Sequence, residues 1–393
     1  MSASATKWIC CQLGAREHYS IPRALQSRDA LACLITDAWV RPCSLASVIH
    51  RRLRERFHPA LDGAEVRGWN TGLLGFELRS RLARQSGWRR VMARNDWFQR
   101  RAVGALARHA ATARAPATVF AYSYAAREIM RFARAQGWRT VLGQIDPGPP
   151  EERSVARLYR GDASQSARWQ PAPPEYWASW VEECRLADAV VVNSRWSKDA
   201  LAEEGVAAGK IHVVPLAFEP PLNAKEFTRT YPDAFTPARP LRVLFLGQVT
   251  LRKGMGPVLD AIRLLAGDPV EFWFVGPLQI NVPDDLHASA RVHWTGAVSR
   301  GETARYFRDA DVFLFPTFSD GFGLTQLEAQ AWKLPIIASR FCGDVVTDGV
   351  NGLLLDDVSA ADIVSAVRRV SREPESLRAM TASSGVGQQF TLN

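Results

Sequence analysis

The chain has 393 residues, more than one ordinary hydrophobic core organises and enough for two domains of about 150 to 200 residues each. Hydrophobic residues make up 47% and charged residues 23%, with both signs present, which excludes a globally disordered chain and leaves a soluble globular protein as the expectation. The net charge of +9 is lopsided: residues 1–150 hold 24 Lys+Arg against 10 Asp+Glu and residues 151–393 hold 25 against 30, so the basic character belongs to the N-terminal half.

The first thirty residues carry Lys7, Arg16, Glu17, Arg23, Arg28 and Asp29 around a short apolar run, a pattern that fits neither a signal peptide nor a spanning helix. No later stretch offers about 18 uncharged apolar residues. A cytoplasmic location is expected. Short β-branched runs at 7–12, 31–35, 118–122, 140–145, 189–192 and 211–214 predict the strands of a doubly wound domain over residues 1–220. Residues 146–174, rich in Pro, Arg and Glu, read as a long loop of the kind that carries function. The segment 221–240 reads as the linker, since Pro220, Pro221, Pro232, Pro237 and Pro240 stand in or beside it without a sustained apolar period.

Residues 241–393 are the easier to read. Strands are predicted at 242–246, 271–275, 291–294, 312–315, 335–339 and 353–355, with helices at 257–265, 301–309, 324–332 and 360–370 between or after them. The fold class is therefore α/β, two Rossmann-like domains facing a central cleft. Cysteines at 10, 11, 33, 43, 184 and 342 form no CxxC pair and no metal-ligand spacing, so reduced residues and no metal centre are expected.

In open parallel sheets, ligands bind beyond the carboxyl ends of the strands, where glycine turns and helix N-termini present backbone N–H groups to anions. Four such loops stand out: Gly14 after the first strand, Gly247 to Gly254, Gly276-Pro277, and Ser319 to Gly323. The last runs Phe318-Ser319-Asp320-Gly321-Phe322-Gly323-Leu324-Thr325-Gln326-Leu327-Glu328. It joins a strand-end carboxylate, two glycines that allow close backbone approach and an immediate helix start, with Glu328 one turn in. On spacing alone, Asp320 could equally be a helix cap and Glu328 a surface carboxylate.

That run resembles the signature of glycosyltransferase family 4, a Glu, seven residues including Gly-Phe-Gly, and a second Glu. Asp320 stands at the first position and Glu328 at the second. The stretch from Cys342 to Gly352 is similar to the family's glycine-rich segment, and Gly247-Gln248-Val249-Thr250-Leu251-Arg252-Lys253-Gly254 looks like its diphosphate-binding loop. The resemblance implies the GT-B architecture and a retaining, metal-independent glycosyltransferase that needs no cofactor beyond its nucleotide-sugar substrate. It places the donor against Gly14, Gly247, Gln248, Arg252, Lys253, Gly276, Gly321, Phe322, Gly323, Leu324 and Thr325. Asp320 would position sugar hydroxyls and Glu328 the ribose. Two departures matter. Gln248 replaces the loop's usual Arg, removing a charge-assisted bond unless Arg252 turns in. The strand end that carries a histidine in the family reads Gln144-Ile145-Asp146, so Asp146 either takes that role or is structural.

The implied acceptor is a glycan or a lipid-linked acceptor, its identity left open. Rival readings are a nucleotide-sugar epimerase on the same fold, a nucleic-acid-binding protein and a catalytically inactive sugar-binding protein; no nucleic-acid motif accompanies the charge, so no nucleic acid is expected. Residues 78–113 interleave Trp88, Val91, Met92, Trp97 and Phe98 with Arg81, Arg84, Arg89, Arg90, Arg94, Arg100, Arg101 and Arg108. This is either a basic amphipathic face for the anionic inner surface of a membrane or a core helix with a solvated side.

Overall fold

The computed structural model describes residues 6–42, 56–112, 115–161 and 169–392. Cys43 and the arginines at 51, 52, 54 and 114 lie outside them.

Two parallel sheets form the molecule. The first is built from β1 (Trp8–Gln12), β2 (Leu31–Thr36), β3 (Val66–Arg67), β4 (Thr118–Tyr122), β5 (Arg139–Gly143), β6 (Ala189–Val192) and β7 (Ile211–Val213), in the order β3-β2-β1-β4-β5-β6-β7. Around it lie α1 (Ser20–Ser27), α2 (Asn70–Leu82), α3 (Gly87–Ala110), α4 (Arg127–Ala135), α5 (Pro149–Gly161), α6 (Pro174–Leu186) and α7 (Arg195–Glu203). A short turn of helix, α8 (Leu222–Lys225), leads to the second sheet. Its strands are β8 (Leu241–Leu246), β9 (Val270–Val275), β10 (Val292–Gly296), β11 (Val312–Phe315), β12 (Ile336–Ala338) and β13 (Gly352–Leu354), ordered β10-β9-β8-β11-β12-β13. Its helices are α9 (Met255–Leu264), α10 (Asp284–His287), α11 (Arg300–Asp309), α12 (Thr325–Ala331), α13 (Ala360–Arg372) and α14 (Pro374–Ser383).

Central strands are apolar on both faces because helices cover both sides of each sheet. All four residues of β11 are buried, and Ile9, Cys10 and Cys11 of β1 are wholly enclosed. Strand order reverses between β1 and β4 in the first sheet and between β8 and β11 in the second. Connections diverge at those points and leave a crevice at the strand ends. The loops after β1, β8 and β11 are the ones the sequence singled out.

Two segments depart from expectation. The predicted long loop at 146–174 contains α5, whose Val155 and Tyr159 are buried in the core of the six-stranded sheet with Val249, Leu251 and Ile280. A helix that follows β5 of the first sheet is thus rooted in the second. Within the proline-rich segment, Tyr231 and Phe235 enter the same core, and Arg229 donates to the carbonyls of Phe307 (2.6 Å) and Trp332 (2.9 Å). Near the C-terminal end, Phe218 N donates to Phe390 O (2.8 Å). Five described cysteines, 10, 11, 33, 184 and 342, are free and buried, their thiols held protonated by burial.

Candidate functional site

The loop after β8 and the loop after β11 are stitched together by their backbones. Phe318 N donates to Arg252 O (2.8 Å), and the Thr317 hydroxyl donates to Arg252 O (3.2 Å) and Ser319 O (2.9 Å). This register sets the Lys253 ammonium against the Asp320 carboxylate in a direct ion pair, both side chains largely enclosed. The Lys253 ammonium also lies 4.7 Å from the centre of the Phe315 ring. Burial alone would raise the Asp320 carboxyl, but the charges of Lys253 and Arg252 and the N–H of Phe322 outweigh it and hold the group below its ordinary value.

Arg252 does turn inward. Its guanidinium donates to Ser319 O (2.6 Å) and stands 3.5 Å from Glu151 on the first turn of α5. Glu151 accepts from the Ser319 hydroxyl (2.8 Å), which itself accepts from the Trp196 indole (3.1 Å). Burial pushes the Glu151 carboxyl up to about 7; Arg252 lowers it, while the nearby charges of Asp146 and Asp320 raise it.

Glycines make the close approaches. A methyl group on Gly321 would sit 2.4 Å from Ile145 O and 3.2 Å from the Asp146 Cα, so the β11 loop closes directly onto the end of the β5 strand. Gly254 (φ +82°) packs on Pro316 O, where a Cβ would come within 2.0 Å, and Gly276 packs on Gly247 O. The neighbouring Gly323 (φ +81°) turns over Phe315 before Leu324 and Thr325 lead into α12. Phe322 is buried and packs against Gly343.

Asp146 faces the cleft from the other sheet. It accepts from the Tyr124 hydroxyl, from Gly148 N (2.9 Å) and from the Gln144 amide (3.3 Å). Burial raises its carboxyl, opposed by the bonds from Tyr124 and Gly148 and by the charges of Arg252 and Arg16. Of the residues expected at the site, the structure brings Lys253, Arg252, Asp320, Gly321 and Asp146 together. Glu328 is half-buried on α12, and Gln248 is exposed beside the cleft.

Gly14 (φ +79°) is already engaged: its N–H donates to the Asp37 carboxylate (2.9 Å), and the Arg56 guanidinium lies where a Cβ would be. Asp37 is fully buried and also accepts from Arg56 (3.0 Å) and Arg94 (2.8 Å). The sequence reading did not find this cluster or Glu151. The available signal for Asp37 was an acid at the end of a buried strand, Thr36-Asp37-Ala38. Arg94 points inward, and Trp97 and Phe98 are core residues, so they leave the proposed amphipathic face. The large apolar residues and arginines that remain exposed within 78–113 are Leu78 and Leu82 of α2 and Val91 of α3, with Arg79, Arg81, Arg84, Arg89, Arg100, Arg101 and Arg108; Leu74, one turn before Leu78, is exposed beside them. No helix among the described residues is long and apolar enough to cross a membrane, and no group of three His, Cys, Asp or Glu side chains among them could hold a metal ion.

Residues 240–373 match the family of glycosyl transferases group 1. A D-inositol 3-phosphate glycosyltransferase of Xylanimonas cellulosilytica is 30% identical over 207 residues, covering 46% of this chain and 48% of that protein. The amylovoran biosynthesis glycosyltransferase AmsK of Erwinia amylovora is 28% identical over 196 residues, 46% of each chain. The chain spans about half the length of the curated relatives it matches. HepE of Anabaena in complex with UDP superimposes with a TM-score of 0.60 at 14% identity, over 99% of this chain and 96% of that one. The architecture is GT-B. In GT-B terms, the matched segment is the whole sheet that carries Lys253, Asp320 and Glu328, while Asp146, Glu151 and Asp37 come from outside it.

Proposed function

We propose that the protein is a glycosyltransferase of the family 4 kind, which transfers a sugar with retention and without a metal ion from a nucleotide-sugar to a glycan or lipid-linked glycan. The observation that carries this reading is the meeting of Lys253 and Asp320 in a glycine-built turn, inside the segment that matches glycosyl transferases group 1 and directly opposite Asp146. The relatives named for amylovoran and inositol phosphate chemistry and the UDP bound by HepE support a nucleotide-sugar donor.

On this reading the donor diphosphate takes the place that the carboxylates of Asp320 and Glu151 hold against Lys253 and Arg252. Asp320, released from the ammonium, accepts from the sugar hydroxyls, and Glu328 accepts from the ribose. The bond between the anomeric carbon and the diphosphate oxygen breaks, the acceptor oxygen bonds to that carbon on the same face, and its proton passes to the departing diphosphate. Fixed cations in a dry cleft stabilise the charge that develops there. Gly321 lets the two sheets close over the donor and exclude water. The domain division at 221–240 follows from the same assignment, with the donor on residues 241–393 and the acceptor on 1–220.

A peripheral place on the inner membrane surface belongs to the proposal, supported by the exposed leucines and arginines of α2 and α3. The deciding experiment incubates labelled UDP-, GDP- and ADP-sugars with the protein in excess EDTA and follows hydrolysis or transfer, with NMR of the product's anomeric configuration. Label that never leaves the nucleotide refutes the enzyme, activity restored only by magnesium refutes metal independence, and an inverted product refutes retention.

A further inference from the structure

Beside the Arg252–Glu151 contact, a cavity of about 310 Å³ opens between the two sheets. Its outer wall is a run of aromatic rings. Tyr124 and Tyr176 stack at 4.8 Å with an 18° tilt, Trp88 leans on Tyr176 at 4.8 Å, and Trp177 stands edge-on to both tyrosines, at 5.2 Å from Tyr176 and 6.0 Å from Tyr124. Across the cavity, Tyr159 stacks with Trp169 at 6.0 Å. The floor is polar: Asp146, Glu151 and Glu152, with Gln248 and Gln279 exposed at its rim and the Thr250 hydroxyl, a buried polar atom that finds no hydrogen-bond partner among the described residues.

The two ends of this cavity have different chemistry, and together they select a ligand class. Aromatic faces carry partial negative charge and attract the weakly positive C–H groups on the flat face of a pyranose ring. Carboxylates, amides and an unsatisfied hydroxyl suit a ligand with many O–H groups, because each buried polar atom left unpaired costs about 1–3 kcal/mol. Three acidic side chains stand against the one guanidinium of Arg252, and even with Asp146 and Glu151 raised by burial this surplus of acid groups disfavours a phosphorylated or acidic ligand. The polar floor disfavours an acyl chain. The volume stands at the lower end of the range of small-molecule sites, about 300–1,000 Å³, which is room for a short saccharide and not for a polymer. Position adds the last argument. Arg252 and Glu151 line the inner end, and both also hold Ser319, the residue next to Asp320.

We infer that this cavity is the acceptor subsite, and that the acceptor presents a neutral pyranose, stacked on Tyr176 and Trp88, with a hydroxyl directed past Glu151 towards the Asp320 loop. The inference rests on the proposed glycosyl transfer and names its acceptor class. A sugar in this seat covers Thr250 and bridges the sheets, so it binds best once the cleft is closed by nucleotide.

Saturation-transfer NMR with methyl α- and β-glycosides of glucose, galactose, mannose and N-acetylglucosamine, in the presence of UDP, GDP or ADP, is suited to the weak binding of a single sugar. At least one glycoside should receive saturation through its ring C–H protons, and Tyr176→Ala and Trp88→Ala should each reduce it several-fold while Tyr176→Phe retains it. Trp88 is only half-buried at the start of α3, so its substitution tests the idea even where Tyr176→Ala does not fold. Absence of saturation with every glycoside, or equal saturation in wild type and Trp88→Ala, overturns the inference. Calorimetry with the nucleoside diphosphates alone reports on the donor half: wild type that binds none of them refutes the proposed function itself, whatever the glycosides do.

Discussion

The Lys253 ammonium and the Asp320 carboxylate pair across 67 residues of chain, joining the loop after β8 to the loop after β11 at the point where the strand order of the second sheet reverses. Both groups are largely enclosed, so the pair fixes the relative position of the two loops and not merely their charge balance. An enclosed cation that must exchange a carboxylate for a diphosphate is expected to matter for phosphate recognition above all. Lys253→Ala should weaken nucleoside diphosphate binding ten- to a hundred-fold, from a charge-assisted contact of about 1.5–3 kcal/mol, and nucleoside binding little. Calorimetry with UDP and uridine, or the matching pair for another base, makes the comparison; equal losses would remove Lys253 from the phosphate site.

Glu328→Gln tests the other half of the donor site. A carboxylate that accepts from two ribose hydroxyls contributes about 2 kcal/mol, so affinity for the nucleotide should fall by tens of fold with thermal stability preserved. A 2′,3′-dideoxyribonucleotide, which offers neither hydroxyl, should bind wild type and variant alike. Unchanged affinity for the ribonucleotide would mean that Glu328 serves only α12.

The Glu151 carboxyl, raised to about 7 by burial, makes a pH prediction with a definite sign. Below that value the group is neutral and Arg252 is free to meet a diphosphate; above it the carboxylate competes for the guanidinium. Nucleotide affinity should therefore fall as pH rises through about 7, binding should take up protons near that pH, and both effects should vanish in Glu151→Gln. The folded state holds this proton more tightly than the unfolded chain does. Stability from this group is thus lost as pH climbs from the ordinary carboxyl range to about 7 and is level beyond. Calorimetry in two buffers of different ionisation enthalpy measures the proton count, and a flat profile in wild type would contradict the assignment.

Gly321→Ala places a methyl group 2.4 Å from Ile145 O, across the cleft. Each sheet keeps its own core, so the melting temperature should change little, while the interface must spread. Activity is expected to drop at least ten-fold, with donor affinity falling less than turnover. A variant with wild-type turnover would show that closure at this point is not part of the reaction.

The exposed face of α2 and α3 is tested with vesicles. Leu78 and Leu82 are 59% and 75% exposed and lie one helical turn apart, with Arg79, Arg81 and Arg84 beside them. At about 1 kcal/mol per basic residue near an anionic surface, a few arginines suffice for binding that salt reverses. Wild type should sediment with anionic vesicles at low salt, and a Leu78→Ser, Leu82→Ser, Arg81→Ser variant should remain in the supernatant. Wild type that stays soluble under those conditions removes the membrane from the proposal.

The strands of both sheets were legible because helix-covered parallel strands are short runs of apolar residues with nothing to confuse them, as in Val312–Phe315. Turns rich in glycine were legible for the opposite reason, since Gly254 and Gly321 stand where backbone crosses backbone. The helix Pro149–Gly161 was not. Its opening Pro149-Pro150-Glu151-Glu152 looks like loop, although proline suits the first helical turn, and its apolar side reduces to Val155 and Tyr159 because it needs only one patch to dock. β3, two residues long at a sheet edge, carries no period at all. Asp37 and Glu151 owe their surroundings to arginines and a serine from distant segments, and no local pattern encodes those partners.

The docking of α5 changes what a movement of this molecule would look like. Undocking Val155 and Tyr159 would return about 1.5–3 kcal/mol of apolar burial per side chain to water, so in such a movement α5 would keep to the six-stranded sheet and give up its Arg153–Glu204 ion pair and the Glu152–Trp177 bond to the first, although the chain reaches it from β5. The flexure then falls on the residues just before it, where Gly148 (φ +70°) turns beside Trp180. Asp146 stays with one moving body and Glu151 goes with the other, five positions along the same stretch of chain. Their separation is a built-in gauge of whether the cleft is open or shut, short enough for a pair of spin labels placed beside them to read.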